Sequence, residues 1–237
     1  MKKITTVLFD LDGTLLPMDQ DTFIKAYLGG LVKVAAPLGY DPSVLAKSIM
    51  AGTYAMFKND GSKTNEDAFW LYMESVLGKK IIEDKYIFDE YYRTDFQKVA
   101  EVCGNTPKAN EVIKQVKGKG LRVTLATNPL FPRMATESRA RWAGLDIEDF
   151  EIITTFEDYT HCKPNLDYYR DILANMGVDP KECLMVGNDV DEDMIAENLG
   201  MRVFLLTNDI INKSGTDISK FPHGDFDDLK QFIENLD

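Results

Sequence analysis

The sequence predicts an α/β protein. A Rossmann-like core, with a parallel sheet carrying helices on both faces, is joined to an all-helical cap. Three observations point there. The first is the apolar, β-branched run Ile4 to Phe9, which ends in Asp10-Leu11-Asp12-Gly13-Thr14. An unbroken apolar run of this length marks a strand covered on both faces. The second is a stretch of roughly ninety residues after Leu16 whose apolar spacing is helical throughout. The third is the alternation of strands and helices from Thr106 onward, the pattern of a parallel sheet wrapped by helices. The helical stretch therefore reads as an insertion: residues 1–16 and 104–237 form the core and residues 17–103 the cap.

Each element has its own justification. Asp19 to Leu38 carries Phe23, Tyr27, Leu31 and Val34 at helical spacing. Pro42-Ser43 starts a helix that runs towards Phe57, and residues 58–62 form a turn. Thr64 to Asp67 is a capped helix start, with Gly78 as the stop. Asp84 to Val102 is a further, aromatic-rich helix of a bundle core. In the core, helices are expected at Pro107–Lys119, Arg133–Trp142, Leu166–Met176, Asp191–Leu199 and Phe226–Leu236. Strands are expected at Leu121–Ala126, Glu151–Thr154, Cys183–Val186 and Met201–Leu206.

Composition bounds the function. The chain has 237 residues, 44% of them apolar, and a net charge of -12. That length buries a substantial core. The acidity argues against nucleic acid or an anionic membrane as partner, since both need a basic face. Cys103, Cys162 and Cys183 are widely spaced and odd in number, which suits reduced thiols in a cytoplasmic protein. No apolar run is long enough to span a bilayer.

The chemistry gathers at strand ends. If strand geometry persists to Asp12, the period of two puts Asp10 and Asp12 on one side of the chain. They lie where ligand crevices of open α/β sheets are found. Two like charges there call for a divalent cation or a shared proton. Thr127-Asn128 ends a second strand and offers a hydroxyl and a backbone N–H to phosphate oxygens. Lys163, in Cys162-Lys163-Pro164, is placed to balance carboxylate and phosphate charge. Gly187 to Asp193 holds four acids in seven positions. Helix-dipole stabilisation accounts for Asp191 and Glu192 but poorly for Asp189, which closely follows the strand end. Such oxygen donors suit Mg²⁺.

The order and spacing of these four segments resemble the haloacid dehalogenase superfamily of phosphohydrolases. The helical insertion is similar in placement to that family's α-helical cap. The resemblance implies that Asp10 is a nucleophile forming an aspartyl-phosphate, and that Asp12 is the general acid and then the base. It implies that Leu11, Asp12, Thr127, Asn128 and Lys163 bind the phosphate. Mg²⁺ would be held by Asp10, the backbone carbonyl of Asp12 and the fourth segment. Many relatives carry Asp where this chain has Asn188, so Asp189 is expected as the main carboxylate ligand there, with Asn188 and Asp193 as further candidates. The expected activity is that of a Mg²⁺-dependent phosphatase acting on a small phosphorylated metabolite. A sugar phosphomutase would share every core residue named. A receiver-like or non-catalytic phosphate-binding protein is the reading from a different class. Hinges are expected near Leu16–Met18 and Gly104–Pro107, with Lys25, Tyr54 and Lys58 as candidate specificity residues on the cap's inner face.

Overall fold

The computed structural model describes residues 2–236. Six strands form one sheet: β1 (Thr6–Phe9), β2 (Arg122–Leu125), β3 (Ile152–Ile153), β4 (Cys183–Gly187), β5 (Arg202–Leu206) and β6 (His223–Gly224). Their order is β3-β2-β1-β4-β5-β6 and every pairing is parallel. The chain order reverses at β1, which pairs with both β2 and β4. That is the topological switch point, where the crevice of such sheets opens. In register, Phe9 lies opposite both Leu125 and Val186. The residues just beyond these three strands therefore emerge at one level.

Between β1 and the rest lies the helical block: α1 (Gln20–Ala35), α2 (Pro42–Phe57), α3 (Asn65–Leu77), α4 (Lys80–Glu83), α5 (Lys85–Arg93) and a 3-10 segment, Asp95–Val102. The core helices are α6 (Pro107–Gly118), α7 (Arg133–Trp142), α8 (Leu166–Met176) and α9 (Phe226–Glu234).

Alternation along the strands divides the core into two apolar layers. Val7 and Phe9, with Leu184, Val186, Phe204 and Leu206, face a cluster that includes α6 and α9. Leu8, Met185, Val203 and Leu205 face the opposite cluster, filled by Tyr168, Tyr169, Ile172 and Met176 of α8. The first cluster does not stop at the core. It continues into the helical block through Phe23, Tyr27, Tyr91 and Phe96. The Tyr27 ring lies 5.2 Å from that of Phe131, and the Phe96 ring 4.9 Å from that of Trp142.

A second contact holds α3 to the core. The first N–H groups of a helix lack intrahelical partners. In α3 they find core carbonyls: Asn65 N–H donates to Tyr159 at 2.8 Å and Glu66 N–H to Phe156 at 2.9 Å. The fully buried Asn65 side chain reaches the Pro129 carbonyl at 3.2 Å and Cys162 Sγ at 3.4 Å. Thr64 caps the same helix through the N–H of Asp67.

The expected helices over 42–57, 133–142 and 166–176 form with those bounds. Others differ. The long helix over 84–102 breaks at Thr94, which leaves helical geometry at φ -118°, ψ -87°. The helix over 191–199 is reduced to a 3-10 segment, Met194–Leu199, because Asp189 caps the preceding residues into a turn. The strand over 151–154 is two residues long, and β6 has no apolar run to announce it. Of the suggested inner-face cap residues, Tyr54 is 61% exposed, and Lys58 lies over its ring. Lys25 is exposed as well. All three side chains are exposed. Among the described residues no helix is long and apolar enough to cross a membrane.

Candidate active site

Asp10 follows β1 and is held by it: its N–H donates to the Val186 carbonyl at 2.9 Å. The chain then turns back on itself. Gly13 N–H donates to Leu16 and Leu16 N–H to Leu11, both at 2.8 Å. Gly13 sits at φ +81°, and a Cβ there would lie 2.3 Å from Asn188 Nδ2, so only glycine closes this turn. Leu11 is fully buried, and its carbonyl also accepts Thr14 N–H.

The turn delivers Thr14 beside Asp10. The Thr14 hydroxyl lies 3.0 Å from Asp10 Oδ2 and 2.9 Å from Asn188 Oδ1. Asn188 Nδ2 donates to the Asp209 carbonyl at 2.6 Å, which fixes Oδ1 towards Thr14. On the other side of Asp10, Lys163 Nζ donates to Asp10 Oδ1 at 2.9 Å and to Asp193 Oδ1 at 2.6 Å. Lys163, Asp193, Asn188 and Thr14 are each about 1% exposed. Burial alone would lower the Lys163 pKa. Asp10 and Asp193 outweigh it, and the ammonium is held well above its usual range.

Thr127 and Asn128 stand where β2 ends. The Thr127 carbonyl accepts the hydroxyls of Thr154 and Tyr168 at 2.6 and 2.8 Å. Asn128 ties two segments together. Its Oδ1 accepts Lys163 N–H at 3.2 Å, and its Nδ2 donates to Glu192 Oε2 at 2.9 Å. Glu192 is not the solvated helix-dipole charge expected from its position. Burial pushes its carboxyl up to about 7.

Asp12 looks elsewhere. Its Oδ2 pairs with Arg139 Nη1, and its Oδ1 is buried without a partner. Arg139 on α7 is wholly buried. Its Nη2 donates to Thr136 Oγ1 at 3.2 Å, and its guanidinium lies 4.3 Å from the centre of the Phe131 ring. Burial raises the Asp12 carboxyl; Arg139 pulls it down, the Asp10 charge adds to the rise, and the net direction is upward.

The structure thus brings Asp10, Asp12, Lys163 and the Asn188–Asp193 loop together, with Thr127 and Asn128 at the neighbouring strand end. It also reorders the candidates of the fourth segment. Asp189 Oδ1 is occupied by the N–H groups of Asp191 and Glu192, at 2.8 and 2.9 Å. Asn188 and Asp193, not Asp189, reach the Asp10 cluster, through Thr14 and Lys163 respectively. Three functional neighbours had weak sequence signals. Thr14 belongs to the first segment, but its type and spacing carry no sign of its contact with Asp10. Glu192 was masked by the surrounding acids. Arg139 had a signal that is readable in hindsight. Ala135, Arg139 and Ala143 form one buried stripe at spacings of four, and a charge on such a stripe needs a partner.

Comparison with known proteins decides the family. Residues 4–200 match the family model described as haloacid dehalogenase-like hydrolase. The chain belongs to the haloacid dehalogenase-like hydrolases. Its sequence relatives include the pyrophosphatase PpaX of Bacillus cereus (strain AH820), 26% identical over 84% of this chain and 82% of that one. A HAD phosphatase from Thermococcus onnurineus shares the fold at TM-score 0.61 and 16% identity, covering 97% of this chain and 98% of its own. The Bacillus subtilis protein YfnB, whose structure is bound to magnesium, superposes at TM-score 0.57 and 17% identity over 98% and 99% of the two chains. The relatives and the paired carboxylates together place this haloacid dehalogenase-like hydrolase among the family's phosphatases.

Proposed function

We propose that the protein is a Mg²⁺-dependent phosphatase that hydrolyses a small phosphorylated metabolite through an aspartyl-phosphate on Asp10. The observation that carries this reading is the division of labour between the two carboxylates. Asp10 is clamped by a lysine and a hydroxyl, whereas Asp12 keeps one buried oxygen unpartnered.

The steps follow from these positions. An Asp10 oxygen attacks phosphorus as the ester P–O bond breaks, and Asp12 gives its proton to the departing alkoxide. The raised Asp12 pKa favours the protonated form that this step needs. Asp12 then takes a proton from water, which attacks phosphorus and breaks the P–O bond to Asp10. Phosphate leaves and both carboxyls are restored. The Lys163 ammonium and the Thr127 hydroxyl hold the transferring oxygens as charge shifts onto them. Asn128, braced by Glu192, keeps the Lys163 loop against the end of β2.

The donors around Asp10 fit a small hard cation: the Asp10 carboxylate and Asn188 Oδ1 share the Thr14 hydroxyl, and both are oxygens. Asp10, Asn188 Oδ1 and the Asp12 carbonyl would hold Mg²⁺, with Asp193 kept back by Lys163. Bound there, the cation would neutralise phosphate charge. The test is phosphate release from a panel of small esters, with Mg²⁺ and with chelator, beside Asp10→Asn. Release that needs the metal and vanishes in the variant is expected. Release that survives the chelator, or survives Asp10→Asn, would overturn the reading.

A further inference from the structure

We infer that Asn65 of α3 is a positioning residue for Lys163: it ties the helical block to the loop that carries the lysine, so that Lys163 is held at Asp10 only while α3 is seated on the core. The inference rests on the phosphatase reading and deepens it.

The aromatic contacts of Tyr27 and Phe96 seat the block on Phe131 and Trp142. Asn65 makes a different attachment, to the catalytic loops themselves. Its side chain is fully buried. Oδ1 accepts Asn59 Nδ2 at 2.9 Å, which turns the Asn65 amide nitrogen towards the core. There Nδ2 donates to the Pro129 carbonyl at 3.2 Å, and it lies 3.4 Å from Cys162 Sγ and 3.5 Å from the His161 carbonyl. Pro129 follows Asn128, and Cys162 precedes Lys163. One amide therefore bridges the end of β2 and the lysine loop. Asn128 makes the same bridge from within the core, by accepting Lys163 N–H at 3.2 Å. The lysine loop is held between two asparagines, one from the core and one from the helical block.

The turn that leads into α3 is fitted to the same loop. Gly61 sits at φ +85°, and a Cβ there would lie 2.7 Å from His161 Nε2. Asn59 Nδ2 also donates to the Lys63 carbonyl at 2.9 Å, which closes the turn around Asn65. The residue type suits the task. A carboxylate in the first turn of a helix is favoured by the dipole. Position 65 instead carries an amide, and two of its partners in the core are carbonyl oxygens, which need a donor. The Lys163 ammonium is buried between Asp10 and Asp193, at 2.9 and 2.6 Å. In such a site a displacement of about 1 Å costs up to about a hundredfold in rate. The bonds of Asn65 are exchanged for bonds to water when α3 lifts, so this latch can open and shut during turnover.

Two cysteines report the latch without any substrate. Cys162 lies against Asn65, whereas Cys183 begins β4 inside the core. Both are buried, and burial pushes both thiols up to about 12. Both should therefore react slowly with N-ethylmaleimide, which needs the thiolate. The experiment follows labelling of each cysteine by peptide mass spectrometry, and kcat for a hydrolysed ester, in the wild type and in Asn65→Asp. That variant keeps the size of the side chain and removes the donor. Cys162 should label about tenfold faster, with Cys183 unchanged. The kcat should fall by about tenfold to a hundredfold. Asn59→Ala, which removes only the brace on Asn65, should move both readouts the same way by less, and it carries the test if Asn65→Asp does not fold. Equal acceleration at Cys162 and Cys183 would show a general loosening of the fold and overturn the inference. So would unchanged labelling of Cys162, or faster labelling with unchanged kcat. If the wild type hydrolyses no ester, the phosphatase reading fails separately, and the labelling ratio of the two cysteines still decides whether Asn65 holds the lysine loop.

Discussion

Asp10 and Asp12 are two residues apart and meet different surroundings. Asp10 is built into the sheet: its partners come from the ends of β1 and β4 and from the Lys163 loop, and each is buried. Asp12 is held from the side by a wholly buried helix arginine that lies against the Phe131 ring. The same residue type therefore meets two different surroundings. In the proposed mechanism the Asp10 carboxylate, fixed on both oxygens, attacks phosphorus, and the Asp12 carboxyl, raised by burial, carries the proton.

The strongest way to break this contrast is to exchange its charges. Asp10→Asn should abolish turnover, read as phosphate release, whereas Asp12→Asn should reduce it by about two to four decades, the usual range for general acid–base catalysis. Equal losses would mean that the two carboxylates do not have separate roles. Arg139→Met sharpens the Asp12 side. Removing one partner of a buried pair should cost about 3 kcal/mol in urea unfolding, the low end of the range, because the Asp12 side chain is 23% exposed. Arg139 also pulls the Asp12 pKa down, so its loss should move the basic limb of the pH–rate profile upward. A stability loss with an unmoved limb would make Arg139 only a packing element.

The smallest expected effect concerns Glu192. Its carboxyl rises from an ordinary value of 4.5 to about 7 on folding. Between these values the folded state binds more protons than the unfolded state. The stability Glu192 contributes is thus fully present below the lower value and lost as pH rises through the upper one. Melting temperature should therefore fall across that window, and Glu192→Gln should flatten the slope. An unchanged slope would show that Glu192 is not the group responsible.

The same contrast explains what was legible in the sequence. The Asp10 side is made of short segments at strand ends, and strands declare themselves by apolar runs. Asp10, Thr127, Lys163 and the Gly187–Asp193 loop are therefore readable in the sequence as strand-end residues. Within that strand-end group, the placement of the fourth segment's side chains depends on a turn that spacing does not reveal: Asp189 caps Asp191 and Glu192, and Asn188 takes the place beside Thr14. The Asp12 side was largely hidden. Tyr27 reads as part of an apolar helix face, and spacing along one helix does not reveal which other element faces it. The same limit applies to Tyr54 and Lys58, whose exposure on the helical block is not written in their spacing.

The most direct test of the account is acid-quenched peptide mass spectrometry on Asp12→Asn during turnover with Mg²⁺ and a hydrolysed ester. Slowing Asp12's second step should let the intermediate accumulate. A phosphoryl group on the peptide that contains Asp10, absent in Asp10→Asn, is the expected result. Continued phosphate release with no phosphoryl group at Asp10 at any quench time would contradict it.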